Sequence, residues 1–354
     1  MHNSDKENSK THVYVGMSGG VDSSLTAALL CEQGYRVTGV YMKNWTQDLP
    51  GMKCPWADDL ADAKRVAVQL DIDLKVFDFE TEYRDMVVQY MIDEYKLGRT
   101  PNPDIMCNQE VKFKLFLDAA LADGADMIAT GHYAQTKAGK LLRAVDDNKD
   151  QTYFLYRVSS AALSKALFPL GGYTKPQVRQ MAEARGLYTA GKKDSQGICF
   201  VGKIGIKDFL SQYVTITPGD IKDITSMQSV GRHDGAIFYT LGQRHGLDIG
   251  GGLPYYVVGK NMDKNEVYVT TNLNDPSLWP KQISLTHMHW IGEPYTGNRV
   301  EVRVRHRAPL APATLSIQGL DAKIELDEAI RAVTPGQSVV LYADDECLGG
   351  GIVA

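Results

Sequence analysis

A glycine- and serine-rich turn stands between two apolar segments near the start of the chain. The first segment runs from Val13 to Met17, and apolar residues recur at helical spacing from Leu25 onward. Two consecutive glycines between them free the backbone to curl, so several N–H groups and a helix N-terminus can point at one anion. The turn therefore predicts a phosphate-binding loop. Its residues are Ser18, Gly19, Gly20, Val21, Asp22, Ser23 and Ser24.

This loop differs from two common nucleotide-binding motifs. It lacks the Gly-Lys-Ser/Thr ending of a P-loop and the Gly-x-Gly-x-x-Gly pattern of a dinucleotide site. The alternative without a ligand is that the serines and Asp22 only cap a helix. We favour phosphate binding, because the whole stretch stands at a strand-to-helix junction.

Two cysteines stand in segments that predict loops. Cys107 follows Pro101 and Pro103, which interrupt regular structure, and Cys199 follows a basic pair that ends at Lys193. A thiol near a helix N-terminus or near cations has a lowered pKa and a larger thiolate fraction. Taken singly, each cysteine is more often a buried small hydrophobic residue than a nucleophile, so that alternative stays open.

Strand and helix patterns alternate over the first part of the chain, which predicts an α/β domain with a doubly wound parallel sheet. In such a sheet the ligand lies beyond the carboxyl ends of the strands, where the phosphate loop is found. Strands are predicted at 12–16, 36–42, 74–79 and 126–132, and helices at 22–33, 57–70, 82–96 and 111–122.

The pattern changes after about residue 213 to short alternating segments separated by Gly, Pro, Asn and Asp. This pattern predicts two small β-rich modules, barrels or sandwiches, divided near 276–280. The predicted domains are 1–212, 213–280 and 281–354. Strands are predicted there at 235–240, 255–259, 266–270, 299–305 and 338–342.

Composition excludes several classes of protein. The net charge of −5 argues against a generally basic nucleic-acid coat, although residues 172–193 carry five basic side chains against one acidic. That segment is either a solvated helix face or a surface for a phosphate backbone. The five cysteines lack zinc-ligand spacing, and their odd number argues against a disulfide framework. No apolar run approaches the roughly 18 residues of a membrane span, so we expect a cytosolic protein with no membrane partner.

Taken together, the motifs resemble the bacterial tRNA-specific 2-thiouridylase family of ATP pyrophosphatases. The resemblance runs in order from about residue 13 to the C-terminus and is most specific in the first 250 or so residues. The matching segments are 16–24, 42–45, 102–104 with Cys107, 130–133, 149–151, 197–200 and 241–244, followed by 303–307 and 335–337.

The resemblance implies a reaction. ATP adenylates O2 of the wobble uridine, pyrophosphate leaves, and a cysteine persulfide delivers sulfur to C2 with loss of AMP. ATP is the implied cofactor, with Asp22 beside its phosphates. Since a carboxylate is tolerable there only with a cation, we expect Mg²⁺ to bridge Asp22 and pyrophosphate, and we expect no fixed metal site on the protein. The implied partners are the tRNAs for Lys, Glu and Gln and a persulfide donor, such as a cysteine desulfurase or a sulfur relay.

The resemblance also implies residue roles. Cys199 matches the persulfide carrier, Cys107 the nucleophile that resolves the persulfide by forming a disulfide with it, and Asp104 the general acid/base. Cys31 and Cys54 have no implied role and are interpreted as packing residues. The implied ATP-binding residues are Gly16, Met17, Ser18, Gly19, Gly20, Val21, Asp22, Ser23, Met42 and Gly131. The implied tRNA-binding residues are Asn102, Pro103, Asp104, His132, Lys149, Asp150, Gln151, Arg305, His306 and Gln337.

Two other functions fit parts of the pattern. An amidating synthetase of the ATP pyrophosphatase type needs the same loop but no cysteine pair, and an RNA-binding module could carry a regulatory ATP site. The amidating synthetase would not need the cysteine thiols, and the RNA-binding module would not release pyrophosphate. The aromatic run 153–156 is left open between stacking on RNA bases and packing in the core.

Overall fold

The structure is a computed structural model that describes residues 8–48, 54–193, 205–250 and 252–354. Cys199 and the segment 197–200 lie outside these residues. The described chain forms three sheets in succession, one parallel and two that are mainly antiparallel, so the predicted fold class is confirmed.

The N-terminal sheet is parallel and has the strand order β3-β2-β1-β4-β7. Its central strand β1 is buried because helices cover both of its faces: Val13 and Val15 pack with helices on one side, and Tyr14 with helices on the other. The strands are β1 (His12–Gly16), β2 (Arg36–Lys43), β3 (Asp73–Asp78), β4 (Met127–Ala129) and β7 (Ala166–Leu167).

The helices around this sheet agree with those predicted from the apolar periodicity, except that two of them begin earlier in the chain than predicted. The predicted helix 82–96 begins at Glu80, and the predicted helix 111–122 begins at Pro103. Both contain π-helical turns, at Arg84–Val88 and at Cys107–Leu115. The helices are α1 (Val21–Glu32), α2 (Trp56–Leu70), α3 (Glu80–Lys96), α4 (Pro103–Ala122), α5 (Thr152–Leu155), α6 (Ser160–Leu163), α7 (Lys175–Ala184) and α8 (Ile206–Leu210).

The central β module is a four-stranded sheet with the order β10-β11-β8-β9. The predicted strand at 235–240 is wrong: a short 3-10 helix occupies Ala236–Phe238, where Ala236 is buried in the core of the module. Its strands are β8 (Gly219–Asp223), β9 (Ser229–His233), β10 (Tyr256–Asn261) and β11 (Glu266–Thr270).

The C-terminal part forms a closed six-stranded barrel, because β12 pairs with both β15 and β17. A hairpin from the N-terminal part, β5 (Gln135–Lys137) and β6 (Lys140–Leu142), extends this sheet by pairing with β17. The barrel strands are β12 (Gln282–Trp290), β13 (Arg299–Arg303), β14 (Ala311–Gln318), β15 (Asp321–Leu326), β16 (Ser338–Ala343) and β17 (Glu346–Val353).

A buried ion pair joins the barrel to the α/β part. Asp150 is 0% exposed, and its carboxylate accepts hydrogen bonds from Arg303 (2.6 Å) and from the Thr152 hydroxyl (2.8 Å). The Tyr342 hydroxyl lies 3.1 Å from that of Thr152, and the Arg303 guanidinium lies over the Tyr342 ring. Since a buried carboxylate needs such partners, Asp150 fixes where the barrel docks.

Among the helices that the structure describes, none is long and apolar enough to cross a bilayer.

We expect Asp150→Asn to lower the free energy of unfolding by about 3–5 kcal/mol, because it leaves the Arg303 charge buried and uncompensated. Chemical denaturation of the wild type, Asp150→Asn, Arg303→Met and the double variant forms a double-mutant cycle. The double variant should be less destabilised than the sum of the single variants. Additive effects would contradict the assignment of this pair as a coupled contact between the two parts.

Candidate active site

The predicted phosphate loop lies at the carboxyl end of β1, and close packing requires its first glycine. Gly19 has φ +71°, and a Cβ at this position would lie 2.3 Å from the Asp59 carbonyl oxygen. Gly20 is the N-cap of α1 and has no side chain to accept from the first N–H groups of that helix. Ser18 is exposed beside them. The loop therefore presents backbone donors to an anion.

The serine hydroxyls mainly shape this loop. Ser23 Oγ accepts from the Ser18 N–H (3.2 Å) and donates to the Gly20 carbonyl (3.1 Å), and Ser24 Oγ donates to the same carbonyl. The side chains of Met17, Val21 and Ser23 are buried. These three predicted ATP-binding residues can therefore offer only their backbones to a ligand approaching from solvent.

Asp22 has a protein cation as partner. Lys175 Nζ donates to both carboxylate oxygens, at 2.7 and 2.8 Å, and the Tyr133 hydroxyl donates to one of them at 2.9 Å. The sequence predicts Mg²⁺ as the counter-charge of Asp22, whereas the structure places the Lys175 ammonium there. The sequence does contain a signal for the helix that carries Lys175. Lys175 is the first residue of this helix in the basic segment 172–193, and Thr174 and Gln177 form its capping box.

The rest of the basic segment is also largely paired. Lys192 Nζ donates to Asp59 (2.8 Å) and Asp62 (2.7 Å), and Arg185 forms a two-pronged ion pair with Glu32. Their charges are neutralised within the α/β part. The segment is therefore a weaker candidate for tRNA phosphates than its sequence suggests.

The structure brings the predicted adenine-nucleotide residues to the same sheet edge as the loop. A Cβ on Gly16 would lie 3.0 Å from the Met42 side chain, and one on Gly131 would lie 2.9 Å from the Ser23 nitrogen. Gly131 therefore packs against the N-terminal turn of α1. Both glycines hold neighbouring strand ends close to the phosphate loop.

The position of Cys107 differs from the prediction. The helix begins at Pro103, with Asn102 as N-cap accepting from the Asp104 N–H at 3.2 Å, so Cys107 lies on α4 and not on a loop before it. Proline is well suited to the first helical position because it has no N–H to leave unpaired. The Cys107 side chain is buried.

Asp104 shares a face of α4 with Cys107 and Asn108, since residues three and four apart are neighbours on a helix. Burial raises the pKa of the Asp104 carboxyl, and the Lys112 charge opposes this shift. A carboxyl with a raised pKa can hold and release a proton nearer neutral pH. The acid/base role of Asp104 stays a prediction.

The predicted partner of Cys107, Cys199, lies outside the described residues. The interpretation of Cys31 and Cys54 as packing residues agrees with the structure, since burial raises the pKa of both thiols. Cys347 is fully buried in the barrel, and burial raises its pKa as well.

Two predicted tRNA contacts need correction. The side chain of His132 is 8% exposed, its Nδ1 lies 2.8 Å from the Thr130 hydroxyl, and burial holds its pKa well below the usual value. The Asp150 side chain is 0% exposed and serves the barrel contact described above. Neither side chain can reach a tRNA from its position.

Of the other predicted tRNA contacts, only Arg305 has an exposed side chain; Lys149 and Gln151 are half-buried. The His306 ring packs against the Phe154 ring in a tilted arrangement, with the ring centroids 4.6 Å apart, and burial lowers the pKa of His306 to about 4. Gln337 Nε2 donates to the Thr100 carbonyl at 2.7 Å. The run 153–156 is mainly core, since its two tyrosines are fully buried.

Comparison with known proteins gives matches along the whole chain. Residues 11–203 match the family model of a tRNA methyl transferase HUP domain, 207–271 that of its PRC-barrel domain, and 280–353 an aminomethyltransferase β-barrel domain. The tRNA-specific 2-thiouridylase MnmA of Bacillus licheniformis is 48% identical over 353 residues, which are 97% of this chain and 95% of the relative.

A second relative of the same name, from Idiomarina loihiensis, is 47% identical over 98% of this chain and 96% of its own. Among solved structures, the U34-tRNA thiolase NcsA from Methanococcus maripaludis is similar over 57% of this chain and 62% of its own, with 17% identity and a TM-score of 0.37. The similarity to this thiolase is too distant to support a conclusion about function. The family-model matches and the near-full-length relatives show that this chain belongs to the tRNA-specific 2-thiouridylase family.

Proposed function

We propose that this protein converts the wobble uridine of tRNA to 2-thiouridine, using ATP to activate O2 and a cysteine persulfide as the sulfur source. The observation that carries this proposal is the 48% identity, over 97% of the chain, to a relative named tRNA-specific 2-thiouridylase. The substrates are the tRNAs for Lys, Glu and Gln, and the sulfur comes from a persulfide donor protein in the cytosol. The chain divides into domains 1–212, 213–280 and 281–354.

The phosphate loop and the N-terminus of α1 bind the triphosphate of ATP. Support comes from the uncapped first turn at Gly20 and from the close packing that excludes a side chain at Gly19. Gly16, Met42 and Gly131 line the adjoining sheet edge for the adenosine. Asp22 offers carboxylate oxygens, the ligands that Mg²⁺ prefers, and Mg²⁺ would neutralise charge on the departing pyrophosphate.

Activation makes the C2 oxygen of uridine a leaving group. The O2 oxygen attacks the α-phosphorus, a P–O bond to the β-phosphate breaks, and pyrophosphate leaves. Lys175 lies beside the loop with its ammonium on Asp22, so it keeps the site from repelling the incoming phosphates. This residue is half of an ion pair that can exchange partners as the nucleotide enters.

Sulfur transfer then uses the two cysteines. The terminal sulfur of the Cys199 persulfide attacks C2, and AMP leaves with the former O2 oxygen. Cys107 attacks the Cys199 sulfur, so a Cys107–Cys199 disulfide forms and the 2-thiouridine sulfur departs with the electron pair. An external thiol must reduce the disulfide before the next turnover.

Asp104 moves the proton in this sequence. Its carboxyl lies one helical turn from Cys107, and burial raises its pKa, so it can take the thiol proton or protonate a leaving oxygen. Asn102 and Pro103 fix this turn, as cap and first residue of α4, beside the target base. Lys149, Gln151, Arg305 and His306 remain the proposed contacts to the rest of the tRNA.

Methyl transfer is a second candidate, because the matching family model is described as a tRNA methyl transferase. The two activities differ in the group transferred and in the cosubstrate. A methyltransferase would not cleave ATP between the α- and β-phosphates, and an amidating synthetase would not depend on the cysteines. The products therefore separate these candidates.

Incubation with ATP, Mg²⁺, a persulfide source and unmodified tRNA should yield 2-thiouridine, with equal amounts of AMP and pyrophosphate. Mass spectrometry of nucleosides from the digested tRNA identifies the product. The matched control is the same tRNA with cytidine at the wobble position, which should gain no sulfur. A methylated nucleoside, or ATP cleavage that does not depend on tRNA, would contradict the proposal.

Lys175→Met should weaken ATP binding by roughly tenfold, because the Asp22 carboxylate then faces the phosphates without its hydrogen-bonded counter-charge. Raising the Mg²⁺ concentration should partly restore binding. Calorimetric titration with a non-hydrolysable ATP analogue measures both effects. Arg185→Met, which removes a half-buried, ion-paired cation at the opposite end of the same helix, is the control and should bind ATP like the wild type. An equal loss in both variants would contradict the role of Lys175.

Cys199→Ser should release pyrophosphate in the presence of tRNA without forming 2-thiouridine, since activation needs only ATP, Mg²⁺ and the uridine oxygen. Cys107→Ser should still accept a persulfide at Cys199 but should not form the disulfide. Non-reducing peptide mapping after one turnover detects the Cys107–Cys199 link in the wild type. Full-rate multiple turnover by Cys107→Ser would overturn the two-cysteine mechanism.

A further inference from the structure

Thr100 lies two residues before the cap of α4, and a turn of the C-terminal barrel holds both of its main-chain groups. The Thr100 N–H donates to the Pro335 carbonyl at 2.9 Å, and the Gln337 side chain donates to the Thr100 carbonyl at 2.7 Å. The turn is itself anchored, since the Gln337 N–H donates to the Thr334 carbonyl. The barrel thus contacts the chain just before the proposed acid/base residue.

Gly336, at the centre of this turn, is in van der Waals contact with the segment. It is buried and has φ +89°, and a Cβ on it would lie 2.8 Å from both the Thr100 nitrogen and Arg99 Cβ. Backbone atoms cannot move aside as a flexible side chain can. Any side chain at 336 must therefore push Thr100 away.

The central β module reaches the same point. The Thr240 hydroxyl lies 3.2 Å from the Thr100 hydroxyl. Two residues earlier, Gly98 has φ +76°, and a Cβ there would lie 2.6 Å from the Met262 side chain. Thr240, which directly precedes the sequence motif at 241–244, and the motif at 335–337 thus contact this short segment from two different modules.

A displacement of Thr100 would also displace the first residues of α4. Pro101 and Pro103 each fix their own φ, and Asn102 caps the helix by accepting from the Asp104 N–H. The four residues after Thr100 therefore move with it as a stiff unit. This unit carries Asp104, and Cys107 follows one turn later.

We propose that Gly336 and Gln337 are positioning residues, through which the C-terminal barrel sets the place of Asp104 and Cys107 for catalysis. This inference rests on the proposed thiolation activity. It assigns Gln337 to the protein's own active-site loop and not to tRNA contact. The barrel then contributes directly to the geometry of the active site.

Gly336→Ala should lower the single-turnover rate of 2-thiouridine formation by roughly 10–100-fold, since displacements near 1 Å at a reacting group have effects of this size. Its tRNA dissociation constant, measured at fixed salt, should stay within about twofold of the wild type. Gly319→Ala is the matched control: Gly319 lies in the same barrel with φ +67°, and no atom lies within 4 Å of its Cβ position. That variant carries similar backbone strain and should keep the wild-type rate.

Gln337→Met provides an independent test if Gly336→Ala fails to fold, because it keeps the side-chain size and removes only the donor to Thr100. It should reduce the rate and leave tRNA binding unchanged. A weakened tRNA affinity with an unchanged rate at saturation would make Gln337 a tRNA contact and overturn the proposal, as would equal rates for Gly336→Ala and Gly319→Ala. If the wild type forms no 2-thiouridine in the same assay, the proposed function itself fails.

Discussion

A buried carboxylate determines how the parts of this protein fit together. Asp150 has no exposed surface, so its charge requires partners, and Arg303 of the barrel supplies the main one at 2.6 Å. The pairing of β17 with the hairpin of the α/β part extends the same contact by backbone hydrogen bonds. Once the barrel is docked in this way, its turn at Gly336 must lie against Thr100, and the start of α4 is fixed.

A second ion pair governs the proposed nucleotide side of the site. Asp22 stands in the first turn of α1, where the helix dipole favours negative charge, and Lys175 adds a full positive charge to its carboxylate. A phosphate loop that carries its own carboxylate would otherwise repel ATP. The pair therefore keeps the site ready for an anion, and it explains why a helix far along the chain packs beside the loop.

The sequence predicts well those features that depend on local pattern. Alternating apolar segments located β1 and β2 within a residue or so, and the glycine pair located the tight turn before α1, because φ/ψ freedom and helix periodicity are local properties. Contacts between distant segments could not be predicted this way. The resemblance implies tRNA contacts for Asp150 and His132, yet tertiary packing buries both side chains. The helix start at Pro103 was also missed, because two nearby prolines favour a loop until Asn102 is recognised as the cap.

The fate of the uridine oxygen tests the central claim most directly. A tRNA prepared with oxygen-18 at the O2 position of the wobble uridine is incubated with the protein, ATP, Mg²⁺ and a persulfide source, and the released AMP is analysed by mass spectrometry. If O2 attacks the α-phosphorus and AMP is later displaced by sulfur, one oxygen-18 atom appears in the AMP phosphate for each 2-thiouridine formed. Thiolated tRNA together with unlabelled AMP would contradict the account.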